Sequence, residues 1–271
     1  MIEYATDAPI YQEFTSRISI VIPAYNEEKR ITSVLDDITE FISKNQVDWN
    51  IIIAIDGDDQ TATLVSQYKK SFPYIKYKVN KKRNGKGYAI KQAVLTNQNQ
   101  LNDIIIIMDA DNSIKFGEIV SNIDKINDTD ILIFNRYGTC NHIPFNRRFL
   151  GRTFNLMVRT ILGIKINDTQ SGYKIFRKEA LIDDINKTGI NGAFFDVSLL
   201  YHARISGQKI EEIKSKTYRH SDGSTFNTFR LTFDMFVSIF ALKFRYSKIY
   251  EKLPDRIINR MLDIYQRHIK L

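Results

Sequence analysis

Four short runs of apolar, mostly β-branched residues mark the first half of the chain: 18–22 (ISIVI), 51–55 (IIIAI), 104–108 (IIIIM) and 131–134 (ILIF). Runs this short and this continuous predict strands buried on both faces of a parallel sheet. Residues 74–79 alternate and predict a further strand. Between the runs the period changes to that of a helix. Residues 27–42 place Ile31, Val34, Leu35, Ile38, Phe41 and Ile42 on one face, and residues 86–95 do the same with Ala89, Ile90, Ala93 and Val94. Strand and helix in alternation imply an α/β fold with right-handed crossovers. After Arg136 the rhythm shifts. Residues 147–159 predict a basic helix, 174–176 a short strand, 193–205 a helix and 209–213 a strand. No repeat or low-complexity linker interrupts the chain, so the sheet is expected to continue into this half.

In open α/β sheets, ligands bind at the carboxyl ends of the strands. Here three strand ends are polar: Pro23-Ala24-Tyr25-Asn26-Glu27, Asp56-Gly57-Asp58-Asp59 and Asp109-Ala110-Asp111-Asn112. Asp109 and Asp111, two positions apart past a buried strand, suit a hard divalent cation such as Mg2+ or Mn2+ bridging to a diphosphate. A solvated turn is the plainer reading of the same residues. Asp56 reads either as an acceptor for a nucleobase N–H or as a turn signal. Pro23, Tyr25 and Glu27 read as a wall beside that base, although Glu27 also fits a helix N-terminal charge. The loop Lys81-Lys82-Arg83-Asn84-Gly85-Lys86-Gly87 opens a helix and reads as a phosphate cradle or a basic surface turn. It lacks the spacing of a P-loop.

The net charge is +8, which favours anionic partners. Its basic residues gather at 76–91, at 136–152 and in the last fifty positions. Arg136, Arg147, Arg148 and Arg152 offer guanidinium groups suited to phosphate. Nucleic acid is not the expected partner, because aromatic and basic residues do not interleave as on a stacking platform. The single cysteine, Cys140, allows no intramolecular disulfide and fits a reducing compartment. Residues 1–16 carry Glu3, Asp7 and Glu13 and read as neither signal peptide nor anchor. The best candidate for a membrane span, 226–246, is interrupted by Arg230, Asp234, Lys243 and Arg245. Its longest uncharged run, 235–242, falls far short of the roughly 20 apolar residues that a span needs.

In order along the chain stand PAYNEEKRI (23–31), DGDDQT (56–61), RNGKG (83–87), DADNSIKF (109–116), NRYG (135–138), RRFLGR (147–152), DTQSGYKIF (168–176) and AFFDVSLLY (193–201). This ordered set resembles glycosyltransferase family 2, nearest to its dolichyl-phosphate β-glucosyltransferase and dolichyl-phosphate mannose synthase branches. The DTQSGYKIF and AFFDVSLLY blocks favour the glucosyltransferase branch. The resemblance implies a GT-A fold, Rossmann-like, with a mostly parallel central sheet flanked by helices. It implies an inverting, metal-assisted transfer of glucose or mannose from a nucleotide-sugar of the UDP-glucose or GDP-mannose type to a polyprenyl (dolichyl) phosphate. By that similarity Pro23, Ala24, Tyr25, Glu27, Asp56, Lys86 and Asp109-Ala110-Asp111 would hold the donor. Asp109 and Asp111 would hold the metal, and Arg136, Arg147, Arg148 and His220 would receive the acceptor phosphate. Asp109, Asp111, Arg136 and Arg147 would carry the catalysis. The sequence departs from the family in the contracted DGDDQT motif, in Gly151 where the mannose branch often has serine, and in His220 where that branch usually has arginine. No QxxRW box is present, as expected for an acceptor that is already an ionised nucleophile.

Toward the C-terminus, Phe229, Phe233, Phe236, Val237, Phe240 and Phe244 share a helical face that reads first as core packing. Pro254 then opens a second predicted helix with Ile257, Ile258, Met261, Leu262, Tyr265 and Ile269 on one side and Arg256, Arg260, Arg267 and Lys270 among the polar positions. A basic amphipathic helix of this kind suits an anionic bilayer surface or a partner subunit. The expected division is a catalytic domain over 1–225 and membrane-associating amphipathic helices over 226–271. The expected location is peripheral, on the cytoplasmic face of a membrane. Competing readings are a soluble family 2 enzyme acting on a glycan hydroxyl, a nucleotidyltransferase, and a non-catalytic nucleotide-sugar-binding module.

Overall fold

The computed structural model describes residues 16–137, 145–192, 194–219, 228–247, 249–254 and 256–257. A seven-stranded sheet lies at its centre: β1 (Ile18–Tyr25), β2 (Asn50–Asp56), β3 (Ile75–Asn80), β4 (Ile104–Ile107), β5 (Ile131–Asn135), β6 (Lys174–Arg177) and β7 (Ile210–Lys214), in the order β3-β2-β1-β4-β6-β5-β7. The ladders are parallel except where β6 runs antiparallel to both β4 and β5.

The helices are α1 (Ile31–Asn45), α2 (Thr61–Ser71), α3 (Lys86–Thr96), α4 (Phe116–Val120), α5 (Phe145–Met157), α6 (Lys178–Lys187), α7 (Phe195–Ile205) and α8 (Thr228–Arg245). Alternate residues of a strand face opposite sides, so the apolar runs feed two cores. Ile18, Ile20, Ile22, Ile51, Ile53 and Ile55 meet α1 and α4 on one side. Val21, Ile52, Ile105, Ile107, Ile131 and Ile133 meet α3, α5, α6, α7 and α8 on the other. This double burial is the reason the strands lack polar alternation.

The strands agree closely with the sequence pattern, but β1 runs further, through Pro23 to Tyr25. Beyond Val21 it pairs with β2 and no longer with β4. A proline N–H is therefore missing only where the ladder has already opened on one side. That opening is where the chain leaves β4. Helix α1 begins at Ile31 instead of Glu27, because Glu27 O accepts the amides of Arg30 and Ile31 and closes a turn first. Helix α5 continues into a π-helical turn, Val158–Leu162.

Helix α8 packs through buried Ile239 and Leu242, with the Phe236 ring 6.0 Å from that of Phe154. Its core stripe therefore does not follow the predicted phenylalanine face: Val237 and Phe240 on that face are exposed. The Phe229 and Phe233 side chains lie outside what is described. Of the second predicted C-terminal helix only Pro254, Arg256 and Ile257 are described, all exposed; the rest lies outside the described residues. Among the described residues no helix is long and apolar enough to cross a membrane.

Candidate active site

The chain leaves β4 with the Met108 amide bonded to Val21 O at 3.1 Å and turns at Asn112, where φ is 52°. The Asn112 amide group donates to Asp37 Oδ2 at 2.9 Å and Ser33 Oγ at 3.2 Å, which ties the turn to α1. Asp111 Oδ1 accepts the Ser113 amide at 3.0 Å and the Tyr173 phenol at 2.7 Å. Asp109 lies directly over Gly172, where a Cβ would stand 1.8 Å from Asp109 Oδ2. The Gly172-Tyr173 pair before β6 thus sets both acidic side chains: one by leaving space, the other by a hydrogen bond. Ala110 between them is buried in the core and contributes only backbone.

Lys86, the first residue of α3, donates from Nζ to Asp109 Oδ1 at 2.7 Å and lies 3.6 Å from Asp196 Oδ2. Asp196 Oδ1 in turn accepts Lys174 Nζ at 2.6 Å. Lys174 is 2% exposed and also donates to Ser171 O. The result is a row of alternating charge, Lys174, Asp196, Lys86, Asp109. Burial alone would pull Lys86 down, but Asp109 and Asp196 outweigh it and hold its pKa above the usual lysine value. Burial would push Asp196 up; Lys174 and Lys86 hold it below the usual carboxylate range. Lys174 itself is lowered, chiefly by burial. The packing sets these distances: a Cβ on Gly87 would stand 2.6 Å from the Phe195 ring, so α3 and α7 touch where Lys86 and Asp196 leave them. The glycine of the basic loop serves this helix contact.

The first two strand ends are laced together. Glu27 accepts Arg30 through two bonds, Nε to Oε2 at 2.7 Å and Nη2 to Oε1 at 2.8 Å. The Glu27 amide donates to Thr61 Oγ1 at 2.8 Å. Burial raises the Glu27 pKa to about 7, Arg30 opposing and Asp111 and Asp109 adding to the rise. Asp59 accepts the Glu28 and Thr61 amides, each at 3.0 Å, so it latches two loops together just ahead of α2. Asp58 is exposed. Asp56 is 3% exposed and accepts the Asn80 side chain at 3.0 Å and the Asn84 amide at 2.9 Å, holding the basic loop against β2. Tyr25 is exposed, with the Arg83 guanidinium 4.4 Å from its ring centroid. Pro23 is half-buried beside it and Ala24 is buried. Tyr25, Arg83 and Asp56 thus frame a flat, partly open face at one end of the sheet edge, with the acidic pair at the other.

Past β5, Arg136 is gripped by the fully buried Asp168: Nε to Oδ2 and Nη2 to Oδ1, both at 2.8 Å, with the Arg136 amide on Oδ2 at 3.0 Å. Burial would lower its pKa, and Asp168 raises it well above the ordinary arginine value. Tyr218 comes to this spot because Glu118 accepts the amides of Lys216 and Thr217 at 2.7 and 2.8 Å, and the Arg219 amide reaches Ser113 O at 2.8 Å. Asn155 of α5 accepts Thr169 Oγ1 at 2.7 Å, which docks the basic helix on the Asp168 loop. Arg148 there is half-buried and Arg152 exposed. Arg147 lies in α5, but its side chain, like all of His220 and Cys140, lies outside the described residues.

Two hard carboxylates on a turn fit a Mg2+ or Mn2+ ion that takes most of its remaining ligands from a diphosphate and water. Among the described residues no three His, Cys, Asp or Glu side chains converge to cage an ion alone. Asp168, Tyr173, Lys174, Asp196 and Tyr218 were not singled out by sequence reasoning. The first four stood in motifs of the ordered set and Tyr218 lay beyond them, and each acts through a tertiary partner that local spacing does not reveal.

The family described as glycosyl transferase family 2 matches residues 19–184. The dolichyl-phosphate β-glucosyltransferase of Dictyostelium discoideum is 30% identical over 252 residues, spanning 84% of this chain and 74% of that protein. The dolichyl-phosphate β-glucosyltransferase of Homo sapiens is 27% identical over 256 residues, spanning 88% and 78%. Among solved structures, glucosyl-3-phosphoglycerate synthase from Mycobacterium tuberculosis, in complex with Mn2+, UDP-glucose and phosphoglyceric acid, matches with a TM-score of 0.60 at 19% identity, covering 84% of this chain and 80% of that one. The same synthase with Mg2+ and UDP matches with a TM-score of 0.60 at 19% identity, covering 84% and 79%. At such identities the likeness is one of fold, and the fold is of the GT-A type.

Proposed function

This chain belongs to glycosyltransferase family 2, and from that premise we propose that it moves glucose from a nucleotide-sugar, UDP-glucose first among the candidates, onto a dolichol-type polyprenyl phosphate. The observation that carries the reading is the meeting of Asp109 and Asp111 with Lys86 at the carboxyl edge of the sheet, the lysine 2.7 Å from Asp109. That is a site for a diphosphate: two carboxylates for a divalent cation and one ammonium for a phosphate oxygen. The cation, Mg2+ or Mn2+, would supply positive charge to the leaving nucleoside diphosphate. Asp109 and Asp111 would hold it. The base would lie against Tyr25, with Asp56 at its edge and Arg83 able to move off the ring.

In the transfer, an oxygen of the acceptor phosphate forms a bond to the anomeric carbon. The bond from that carbon to the diphosphate oxygen breaks with inversion, and its electron pair leaves on the nucleoside diphosphate. The phosphate is already ionised, so no proton has to move. Arg136, with Nη1 turned from Asp168, and Arg147 and Arg148 of α5 would receive the acceptor; His220 belongs to the same proposal. The donor subsite is supported by relatives named for glucose transfer to dolichyl phosphate and by a structural neighbour crystallised with UDP-glucose and Mn2+.

A lipid-linked acceptor brings the enzyme to a bilayer, since each CH2 drawn from the membrane costs about 0.8 kcal/mol. We assign residues 226–271 to surface attachment and 1–225 to catalysis. Exposed Val237 and Phe240 on α8, with Lys243 beside them, support peripheral binding to an anionic surface. The decisive test incubates the protein with radiolabelled UDP-glucose or GDP-mannose and polyprenyl phosphate. The reading expects organic-extractable label from UDP-glucose. Extractable label from GDP-mannose alone reassigns the sugar, and water-soluble products alone overturn the lipid acceptor.

A further inference from the structure

Lys86 faces two carboxylates. It lies 2.7 Å from Asp109 Oδ1 and 3.6 Å from Asp196 Oδ2. Asp109 Oδ2 lies against Gly172, so an arriving divalent cation competes with the ammonium for the Oδ1 side, where like charges in contact repel strongly. The lysine is pressed to give way when metal arrives. Expelling it into solvent would leave Asp196 and its buried partner short of a charge. The geometry offers a nearer place. Asp196 Oδ1 is fixed by Lys174 at 2.6 Å, and Lys174 is fixed by Ser171 O. Its Oδ2 already points toward Lys86 Nζ. Asp196 sits in the first turn of α7, where a negative charge is favoured. The contact of Gly87 with Phe195 keeps the two helices too close for the pair to part.

We propose that Asp196, braced by Lys174, is a positioning residue that receives Lys86 when a divalent cation takes Asp109, so that the lysine passes from one carboxylate to the other and stays beside the diphosphate. The inference rests on reading Asp109 and Asp111 as the metal ligands. It explains a fully buried lysine that touches neither Asp109 nor the open edge of the site: Lys174 keeps Asp196 ionised and aimed.

The test is Mn2+ binding without nucleotide, followed by electron paramagnetic resonance, for the wild type, Lys86→Met, Asp196→Asn and the double variant, with circular dichroism to establish folding. Lys86→Met removes the competitor and tightens Mn2+ binding by about tenfold, the order carried by one charge-assisted hydrogen bond. Asp196→Asn strands the lysine on Asp109 and weakens binding by about the same factor. In the Lys86→Met background, Asp196→Asn then has no effect, because no lysine remains to be received. An equal loss in both backgrounds overturns the proposal, since Asp196 would then act only through its charge at a distance. If none of the four proteins binds Mn2+, even with UDP added, the metal reading itself falls and takes the hand-over with it. Should Asp196→Asn not fold because Lys174 is left buried and unpaired, Asp196→Asn with Lys174→Met makes the same comparison.

Discussion

At the scale of single residues the site depends on space as much as on charge. Gly172 leaves the volume that Asp109 occupies, and a methyl group there would overlap Asp109 Oδ2 at 1.8 Å. Gly172→Ala is therefore expected to abolish transfer, and Asp109→Ala and EDTA are expected to do the same, while far-ultraviolet circular dichroism stays unchanged. Retention of activity would mean that Asp109 does not need this placement. Tyr173→Phe removes the donor to Asp111 Oδ1 and one acceptor for the Ser113 amide. A buried partner lost in this way costs roughly 1–3 kcal/mol, so kcat/KM should drop about tenfold or more. The Mn2+ concentration for half-maximal rate should rise with it. The acidic pair itself was legible in the sequence, because two aspartates past a fully apolar run announce a strand end. Lys86 was legible as part of a basic helix start suited to phosphate, but not as a partner of Asp109. Its partner Asp196 lies more than a hundred positions away, and no local spacing connects them.

At the scale of elements, four of the strands were legible because burial on both faces removes polar residues from them. Helix α2 was not read. It buries only Thr61 and Val65, too narrow a stripe to show a helical period. Helix α6 was not read either; its apolar stripe is interrupted by Asp184, which is fully buried. The Gln208 side chain lies near the Asp184 carboxylate, but among the described residues neither oxygen takes part in a well-formed hydrogen bond. Burial raises its pKa from 3.8 to about 7, Lys187 and Gln208 opposing and Asp183 and Asp130 adding to the rise. A carboxylate with a raised folded pKa favours the fold below its unfolded pKa, and that contribution is lost as pH climbs through the folded value. On α7, His202 runs the other way: burial, with Arg245 and Lys187, lowers it from 6.5 to about 4. Its contribution is present above the unfolded value and lost as pH falls toward the folded one. Between these limits the two nearly cancel. Asp184→Asn removes one of them, so it should raise Tm at pH 8, leave it nearly unchanged at pH 3, and steepen the rise of stability with pH in between. A Tm at pH 8 no higher than the wild type would show that Asp184 is accommodated as an anion. Gly87→Ala presses a methyl group against Phe195 and should cost about 1–3 kcal/mol through overpacking. It should weaken nucleoside diphosphate binding as well, since it forces Lys86 and Asp196 apart.

At the scale of the whole molecule the net charge of +8 and the exposed apolar side of α8 belong to one prediction. Co-sedimentation with vesicles containing acidic lipid should decline as salt rises, because exposed charges are screened within about 10 Å at 0.1 M. Phe240→Asp should weaken that binding while UDP binding stays unchanged. Equal sedimentation of the variant and the wild type would remove α8 from the attachment surface. The α/β class was legible in the alternation of periods, but the order of the strands was not. The short run at residues 174–177 shows that it is a strand, and nothing local shows that it slips between β4 and β5. That insertion fixes an order of events on the ribosome. When β4 emerges, β1 can pair with its near edge at once, but its other edge belongs to β6, which lies roughly seventy residues further along. At translation speeds of about 5–20 residues per second the wait lasts several seconds. For that interval a row of isoleucines with open amides and carbonyls faces its surroundings or a neighbouring nascent chain. β6 therefore acts as a late bolt. How well the chain is produced depends on how quickly four residues arrive to cover an edge made long before them.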